Sequence, residues 1–361
     1  MSRRLSVAII GLGIGRNHLQ AYQTLPDHYR IAAVCDLDIA KLAAAKVEFG
    51  AGAGLTDYAE LLAMPDVDVI DICTPPSTHR LLIERALAAG RHVICEKPLT
   101  GSLADLDAIA VAAKAARGTL SPIFQYRYGN GLQKLKLLQE KGLCGKAYLA
   151  TIETSWRRDA DYYEVPWRGK WATELGGCCL TQAIHAHDIL SYVNGPVRSV
   201  FARAATRVNP VEVEDCAAVS IEMADGSLAT LAVTLGAAEE LSRIRFMFEH
   251  LTVESRSTHP YRIGDDPWHF KGKTADIDRK IAAALAEFVP SEESFAGQFV
   301  RIHAALTDGK PLPVTLDDAR ASLELITAIY YSAEAGEAVN LPIAADHPKY
   351  ANWIPAGRRW R

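Results

Sequence analysis

The sequence predicts an α/β protein in two parts: an N-terminal doubly wound parallel sheet with helices on its faces, and a C-terminal α+β domain with a large, mostly antiparallel sheet. Three observations carry this expectation. The apolar run Val7-Ala8-Ile9-Ile10 breaks into Gly11, Gly13 and Gly15 and re-emerges as a helix, as a buried parallel strand does when it turns tightly. Short apolar runs then alternate with helical periodicity to about residue 124, implying parallel strands joined by right-handed crossovers. From about Tyr126 long alternating strands take over, joined by short turns such as Ala224-Asp225-Gly226-Ser227, and such strands pair antiparallel. At 361 residues the chain exceeds the usual size of a single core, so the expected domains are 1–124 and 125–361.

The elements follow in order. After the first strand, the glycines let the backbone approach a pyrophosphate at the N-terminus of the next helix. The dinucleotide fingerprint asks for glycine at positions 11, 13 and 16; this chain has Arg16, with Gly15 one residue early. By itself such a run serves equally well as a tight strand-to-helix turn. The second strand, Arg30 to Cys35, ends in Asp36, at roughly the spacing of about 20 residues where an acid bonds the ribose 2′-OH and repels a 2′-phosphate. Turn and acid together point to NAD and disfavour NADP.

Helical spacing covers 39–49, and Thr56-Asp57 is a cap signal for a short helix from Tyr58. A strand at 67–73 is closed by Thr74-Pro75-Pro76-Ser77-Thr78-His79, a helix at 80–89 is stopped by Gly90, and the strand 92–95 runs into Glu96-Lys97-Pro98. A helix at 102–116 and a strand at 120–126 complete this half. In the second half a helix is expected at 132–140 and a strand at 146–156. A helix near 178–193 follows, then strands at about 197–207, 212–223, 227–237, 243–249 and 251–255, and closing helices at about 275–288, 292–306 and 317–335.

Composition is that of a globular protein, 49% hydrophobic and 23% charged. A net charge of −4 offers no general attraction to nucleic acid or anionic lipid, and the Arg358-Arg359-Trp360-Arg361 tail is too short to alter this. The seven cysteines (35, 73, 95, 144, 178, 179 and 216) contain no CxxC pair and fit buried, reduced thiols. Ser2-Arg3-Arg4 imitates a twin-arginine signal, but cleavage after it would remove the glycine turn, and no run has transmembrane length; a cytoplasmic location is expected.

Glu96-Lys97-Pro98 lies at the carboxyl end of a parallel strand, where open α/β sheets bind ligands. A lysine there can bond a substrate oxygen and stabilise developing alkoxide charge; it could equally be a surface loop lysine. At this point the sequence resembles the Gfo/Idh/MocA family, named for glucose-fructose oxidoreductase, inositol dehydrogenase and a rhizopine catabolism protein. The likeness rests on the glycine turn, Thr74-Pro75-Pro76 with His79, Glu96-Lys97-Pro98, Trp167-Arg168-Gly169-Lys170-Trp171, and Gly176-Gly177 through His185 and Asp188. It implies a Rossmann domain and NAD-dependent oxidation or reduction of sugars, cyclitols or related polyols, with Lys97 catalytic. Cofactor contacts are then expected at Gly11, Gly13, Ile14, Gly15, Arg16, Asn17, Asp36, Thr74, Pro75, Pro76, His79, Glu96 and Lys97. Substrate contacts are expected at Lys97, Arg127, Trp167, Arg168, Thr181 and His185. No metal is expected, and a homo-oligomer through the second-domain sheet is.

On one continuous helix of about 3.6 residues per turn, Thr181, His185, Asp188 and Tyr192 share a face. His185 is the catalytic candidate, to take the hydroxyl proton, and His187 a packing residue. The family usually carries an aspartate four residues before this histidine, where the chain has Thr181; Asp188 or another group must then orient the ring. Trp156, Arg157, Arg158, Trp167, Arg168 and Trp171 suit a polyhydroxylated ring or a carboxylate, or else a loop that packs its tryptophans and solvates its arginines. Two other activities share these features: a glycoside-cleaving enzyme that retains its NAD, and a sugar sensor that binds a dinucleotide without turnover.

Overall fold

The computed structural model describes residues 3–355; Ser2 and the tail 358–361 lie outside them. The chain forms two compact units, Met1–Phe124 with Phe295–Ala319, and Gln125–Ser294 with Arg320–Arg361.

The first unit alternates β1 (Leu5–Ile10), α1 (Gly15–Gln23), β2 (Tyr29–Cys35), α2 (Ile39–Phe49), β3 (Ala53–Leu55), α3 (Tyr58–Ala63), β4 (Val69–Ile72), α4 (His79–Ala88), β5 (His92–Cys95), α5 (Leu103–Ala115) and β6 (Leu120–Pro122). All pairings are parallel, in the order β3-β2-β1-β4-β5-β6. Caps fix the helix starts: the Asp38 carboxylate accepts from Ala40 and Lys41 amides, and the Ser102 hydroxyl accepts from the Asp105 amide. The three-residue β3 was not expected.

The sequence expectation placed residues 295–319 in the second domain, and the structure corrects this. The helix Ser294–Asp308 turns Phe295, Phe299 and Ile302 into the same core as Val7, Ile9, Leu19 and Tyr22. Phe299 stacks on Tyr22 at 4.3 Å, its carbonyl accepts from the Tyr29 hydroxyl at 2.8 Å, and the Gln298 side chain bonds the Phe124 amide and the Pro122 carbonyl. Burying these aromatic faces outweighs the cost of closing so long a loop, which grows only slowly with length.

The second unit comprises α6 (Asn130–Glu140), β7 (Ala147–Arg157), α7 (Trp171–Glu174), α8 (Cys178–Thr181), α9 (Ile184–Asn194), β8 (Val197–Ala205), β9 (Cys216–Met223), β10 (Leu228–Thr234), β11 (Gly236–Phe248), β12 (Leu251–Ser255), β13 (Trp268–Gly272) and α10 (Ala275–Ala286). The helix Leu316–Ala335 and β14 (Val339–Asn340) close it. Its eight strands run in the order β13-β12-β11-β7-β10-β9-β8-β14, antiparallel except for β7 and β10, which pair parallel. Burial alternates along the strands: Ala217, Val219, Ile221 and Met223 of β9 face the core, while Ala218 and Ser220 are exposed. The single helix expected at 178–193 is two, broken at Gln182 and Ala183. The seven cysteines form no disulfide, and no helix among the described residues is long and apolar enough to cross a membrane.

Candidate active site

The parallel register brings the sequence motifs of the first unit to one edge. Ile10 pairs with Cys35 and with Ile72, and Ile72 with Cys95. The residues after them, Gly11, Asp36, Cys73-Thr74 and Glu96-Lys97, therefore leave the sheet at one level. The strand order reverses between β1 and β4, so this is the switch-point edge at which open sheets take ligands.

The glycine turn divides its labour among three residues. Gly11 has φ +88°, and a Cβ there would lie 2.6 Å from the Cys73 carbonyl oxygen. A Cβ on Gly13 would meet open space, so here the backbone is bare toward the outside of the turn. A Cβ on Gly15 would lie 3.0 Å from Ile9 and 3.2 Å from Cys73, so Gly15 fills the helix-to-strand packing role one residue earlier than the fingerprint. Helix α1 begins there with Ile14 as N-cap, no side-chain cap and no acid in its first turn. Its amide end is thus left to an anion. Asp36 accepts from the Leu12 amide at 2.6 Å and the Asp38 amide at 2.9 Å, at a partly exposed position. Arg16 and Asn17 are exposed beside the turn, with Arg16 paired to Glu48. These features fit a dinucleotide: glycines for the pyrophosphate, Asp36 for the ribose.

Two of the expected cofactor contacts are placed otherwise. His79 is fully buried, its ring nitrogens 2.9 Å from the carbonyls of Pro98 and Thr74, so it ties the loop after β4 to the loop after β5. Burial lowers its pKa against the pull of those carbonyls. Glu96 is 4% exposed; one oxygen lies 3.1 Å from His18 Nε2 and the other accepts from the Lys97 amide at 3.0 Å. Both hold loops from within, because a buried polar side chain must find internal partners. Pro76 is also buried, while Thr74 and Pro75 stay partly exposed, with the Thr74 and Thr78 hydroxyls 2.7 Å apart. Lys97 is partly exposed and precedes a cis peptide bond to Pro98.

In the second unit, α9 carries His185, Asp188 and Tyr192 on one face, as the periodicity requires. A short 3-10 turn, Gln125–Tyr128, lies along it. Tyr126 stacks on His185 at 4.4 Å; Arg127 gives Nε and Nη2 to the two Asp188 oxygens at 2.7 and 2.6 Å and lies over the Tyr192 ring at 4.7 Å. Arg127 was expected to touch substrate. Instead it is 3% exposed, its fork committed to a bidentate ion pair, so it fixes α9. Asp188, the candidate orienter of His185, is committed to that same guanidinium. Thr181 is also displaced from the expected arrangement: the Ala183 amide reaches back five residues to the Cys178 carbonyl, so helical phase is not continuous from 181 to 185. The Thr181 hydroxyl donates to the Gly177 carbonyl at 2.9 Å. From further along the chain, the buried Glu214 caps α8 by accepting from the Gly177 and Cys179 amides and from the Tyr330 hydroxyl, and burial pushes its pKa up to about 7.

His187 is buried with neither ring nitrogen bonded, and burial pushes its pKa down to about 3. The tryptophan and arginine cluster separates. Trp156 and Trp171 are buried and bond Ser242 and Glu212, and Arg158 is enclosed by Trp156, Tyr162 and Tyr261 and paired to Glu240. Trp167 and Arg168 stay partly exposed, with Arg168 stacked between the Trp167 and Tyr162 rings.

Comparison with known proteins now decides the family. Residues 5–124 match the model of an oxidoreductase family with an NAD-binding Rossmann fold, and residues 132–272 match the GFO/IDH/MocA C-terminal domain. The chain belongs to the Gfo/Idh/MocA family. Among Gfo/Idh/MocA relatives, uncharacterized oxidoreductase YrbE of Bacillus subtilis is 26% identical across 96% of this chain and 98% of its own. D-apiose dehydrogenase of Paraburkholderia graminis is 28% identical across 94% and 90%. The WlbA dehydrogenase of Chromobacterium violaceum, solved with NADH and UDP-GlcNAcA, aligns with a TM-score of 0.84 at 28% identity, over 95% of this chain and 98% of that one. The protein is accordingly an NAD-dependent oxidoreductase with sugar dehydrogenases among its relatives.

Proposed function

We propose that the protein oxidises a secondary alcohol of a sugar, sugar acid or cyclitol, or reduces the corresponding ketone. The observation that carries this reading is the common level at which the glycine turn, Asp36 and Lys97 leave the first sheet, which gives a dinucleotide seat and an ammonium donor to one edge. NAD, when bound, supplies the hydride acceptor for oxidation or the donor for the reverse. Lys97 bonds the reacting oxygen and stabilises the negative charge that develops on it. His185 accepts the hydroxyl proton as general base, its ring plane fixed by Tyr126 and its helix by the Arg127–Asp188 pair. Trp167 and Arg168 offer an aromatic face and a fork donor to a polyhydroxylated or carboxylated substrate.

The reading extends to assembly and location. The sheet face carrying the exposed Phe201 and Leu228 would bury itself against a second copy, and the enzyme would work in the cytoplasm, where NAD and reduced thiols coexist. The functional test is absorbance at the reduced-nicotinamide band with NAD and a panel containing myo-inositol, D-apiose and a UDP-linked hexuronic acid. Turnover that consumes NAD stoichiometrically supports a dehydrogenase. Product formation without net reduction of NAD would replace this reading with a cofactor-retaining enzyme.

A further inference from the structure

Four polar side chains meet in the interior of the first unit, just beneath its ligand edge. His18 and Tyr22 come from α1, Asp71 from the middle of β4, and Glu96 from the end of β5. His18 Nδ1 is 2.8 Å from Asp71 and its Nε2 is 3.1 Å from Glu96; the Tyr22 hydroxyl donates to the same Asp71 oxygen at 2.8 Å. His18, Asp71 and Tyr22 are at most 1% exposed and Glu96 is 4% exposed. From the helix Ser294–Asp308, the rings of Phe295 and Phe299 cover His18 at 4.3 and 5.3 Å, and the Cys73 thiol lies 3.4 Å from Nδ1.

Two carboxyl groups enclosed in so apolar a space must have a cation or several donors. Both imidazole nitrogens face carboxylate oxygens, and a ring that donates at both nitrogens is an imidazolium. Burial, the largest single influence, opposes that charge, but Asp71 and Cys73 together hold the pKa well above the usual imidazole range. A well-packed apolar trio would stabilise such an interior at least as well, so what the ion pairs add is fixed geometry. One end of the chain of bonds is α1, whose uncapped N-terminus lies one turn before His18. The other is the Lys97 backbone, because the second Glu96 oxygen accepts the Lys97 N–H.

We propose that His18 is a positioning residue for Lys97. Held between Asp71 and Glu96, it links the helix that seats the dinucleotide to the backbone of the lysine, so that filling the seat and setting the lysine are coupled. The proposal rests on the role given to Lys97 above, but its coupling can be measured without turnover.

The probe is ADP-ribose, which carries the pyrophosphate and lacks the nicotinamide ring that could cover Lys97 directly; the readout is hydrogen exchange of the Lys97 amide. In the wild-type chain ADP-ribose slows this exchange. His18→Gln speeds it about 10- to 100-fold, the scale of weakening one charge-assisted hydrogen bond, and abolishes the response to ADP-ribose. Glu96→Ala does the same, and adding His18→Gln to it changes nothing further at Lys97, since His18 acts through Glu96. An unchanged Lys97 response in folded His18→Gln, or additive effects in the double variant, overturns the proposal. If His18→Gln does not fold, Glu96→Ala decides: a Lys97 amide still slowed by ADP-ribose overturns the coupling. With a turned-over polyol, His18→Gln lowers kcat about 10- to 100-fold, the cost of a misplaced catalytic group, and leaves the polyol KM within about threefold. Absence of activity on every polyol would sink the dehydrogenase reading and leave the exchange result standing.

Discussion

Each unit supports one proposed reacting side chain on a buried ion pair, but the two supports differ in kind. Behind Lys97 stands a histidine between two carboxylates; beside His185 stands an arginine on one carboxylate. Arginine stays charged at every working pH, and its planar fork fixes a helix face. Histidine is charged only because its neighbours make it so, and it reaches two segments at once through its two nitrogens. Arginine thus suits an anchor that must not change, and histidine a joint between two segments.

The sharpest break in this comparison is Lys97 itself. Lys97→Met keeps much of the stem but removes the donor, so kcat should fall about 10²- to 10³-fold while NADH affinity, followed by fluorescence, changes little. Near-normal turnover of the folded variant would take the first support out of the mechanism.

Next in size is the arginine anchor. Arg127→Met leaves Asp188 buried without its fork and should cost about 3–5 kcal/mol in urea unfolding. Arg127→Met with Asp188→Leu should restore much of it. Equal losses in both variants would mean that packing, not charge, holds α9.

The third test uses pH. The His18 pKa is raised on folding, so between the unfolded value near 6.5 and the higher folded value the native state holds a proton that the unfolded chain has lost. Its contribution is therefore full below about pH 6.5 and declines by about 1.36 kcal/mol per unit as pH rises toward the folded pKa. Subtracting the His18→Gln profile from the wild-type one isolates this slope. A flat difference above pH 6.5 would show that His18 does not carry the charge, whereas the arginine anchor should show no slope there at all.

The smallest effect at neutral pH belongs to His187. Its pKa is depressed to about 3, so below about pH 6.5 the unfolded chain gains a proton that the folded one refuses, and stability falls with pH. His187→Leu should stabilise by about 1–2 kcal/mol at neutral pH by removing an unbonded buried polar ring. It should gain about 2 kcal/mol more at pH 5. A gain independent of pH would mean that the ring finds a proton partner in acid.

Sequence reasoning read the fold of the first unit well because many residues there answer a local requirement. Gly11 and Gly15 answer backbone crowding, Asp57 caps a helix, and Lys97 sits where a strand ends. It failed where a requirement is met from far away. The turn at Gly177 is held by Glu214 from a distant segment, and Arg127 looked available because its partner Asp188 lies 61 positions on. The His18 network left one signal unused. Asp71 interrupts the otherwise apolar strand Val69-Ile70-Asp71-Ile72, and a carboxylate in the middle of a doubly covered strand must have a cation or several donors.

The helix Ser294–Asp308, packed into the core of the first unit, also constrains how the protein can be made. A ribosome releases β1 to β6 long before it releases Phe295 and Phe299. Until then the face of Tyr22 that Phe299 will stack on, the Pro122 carbonyl and the Tyr29 hydroxyl have no native partner. The dinucleotide half therefore waits as an unfinished nascent domain while the other half of the protein is synthesised, and dinucleotide binding should be acquired late in translation, not at the close of the sixth strand.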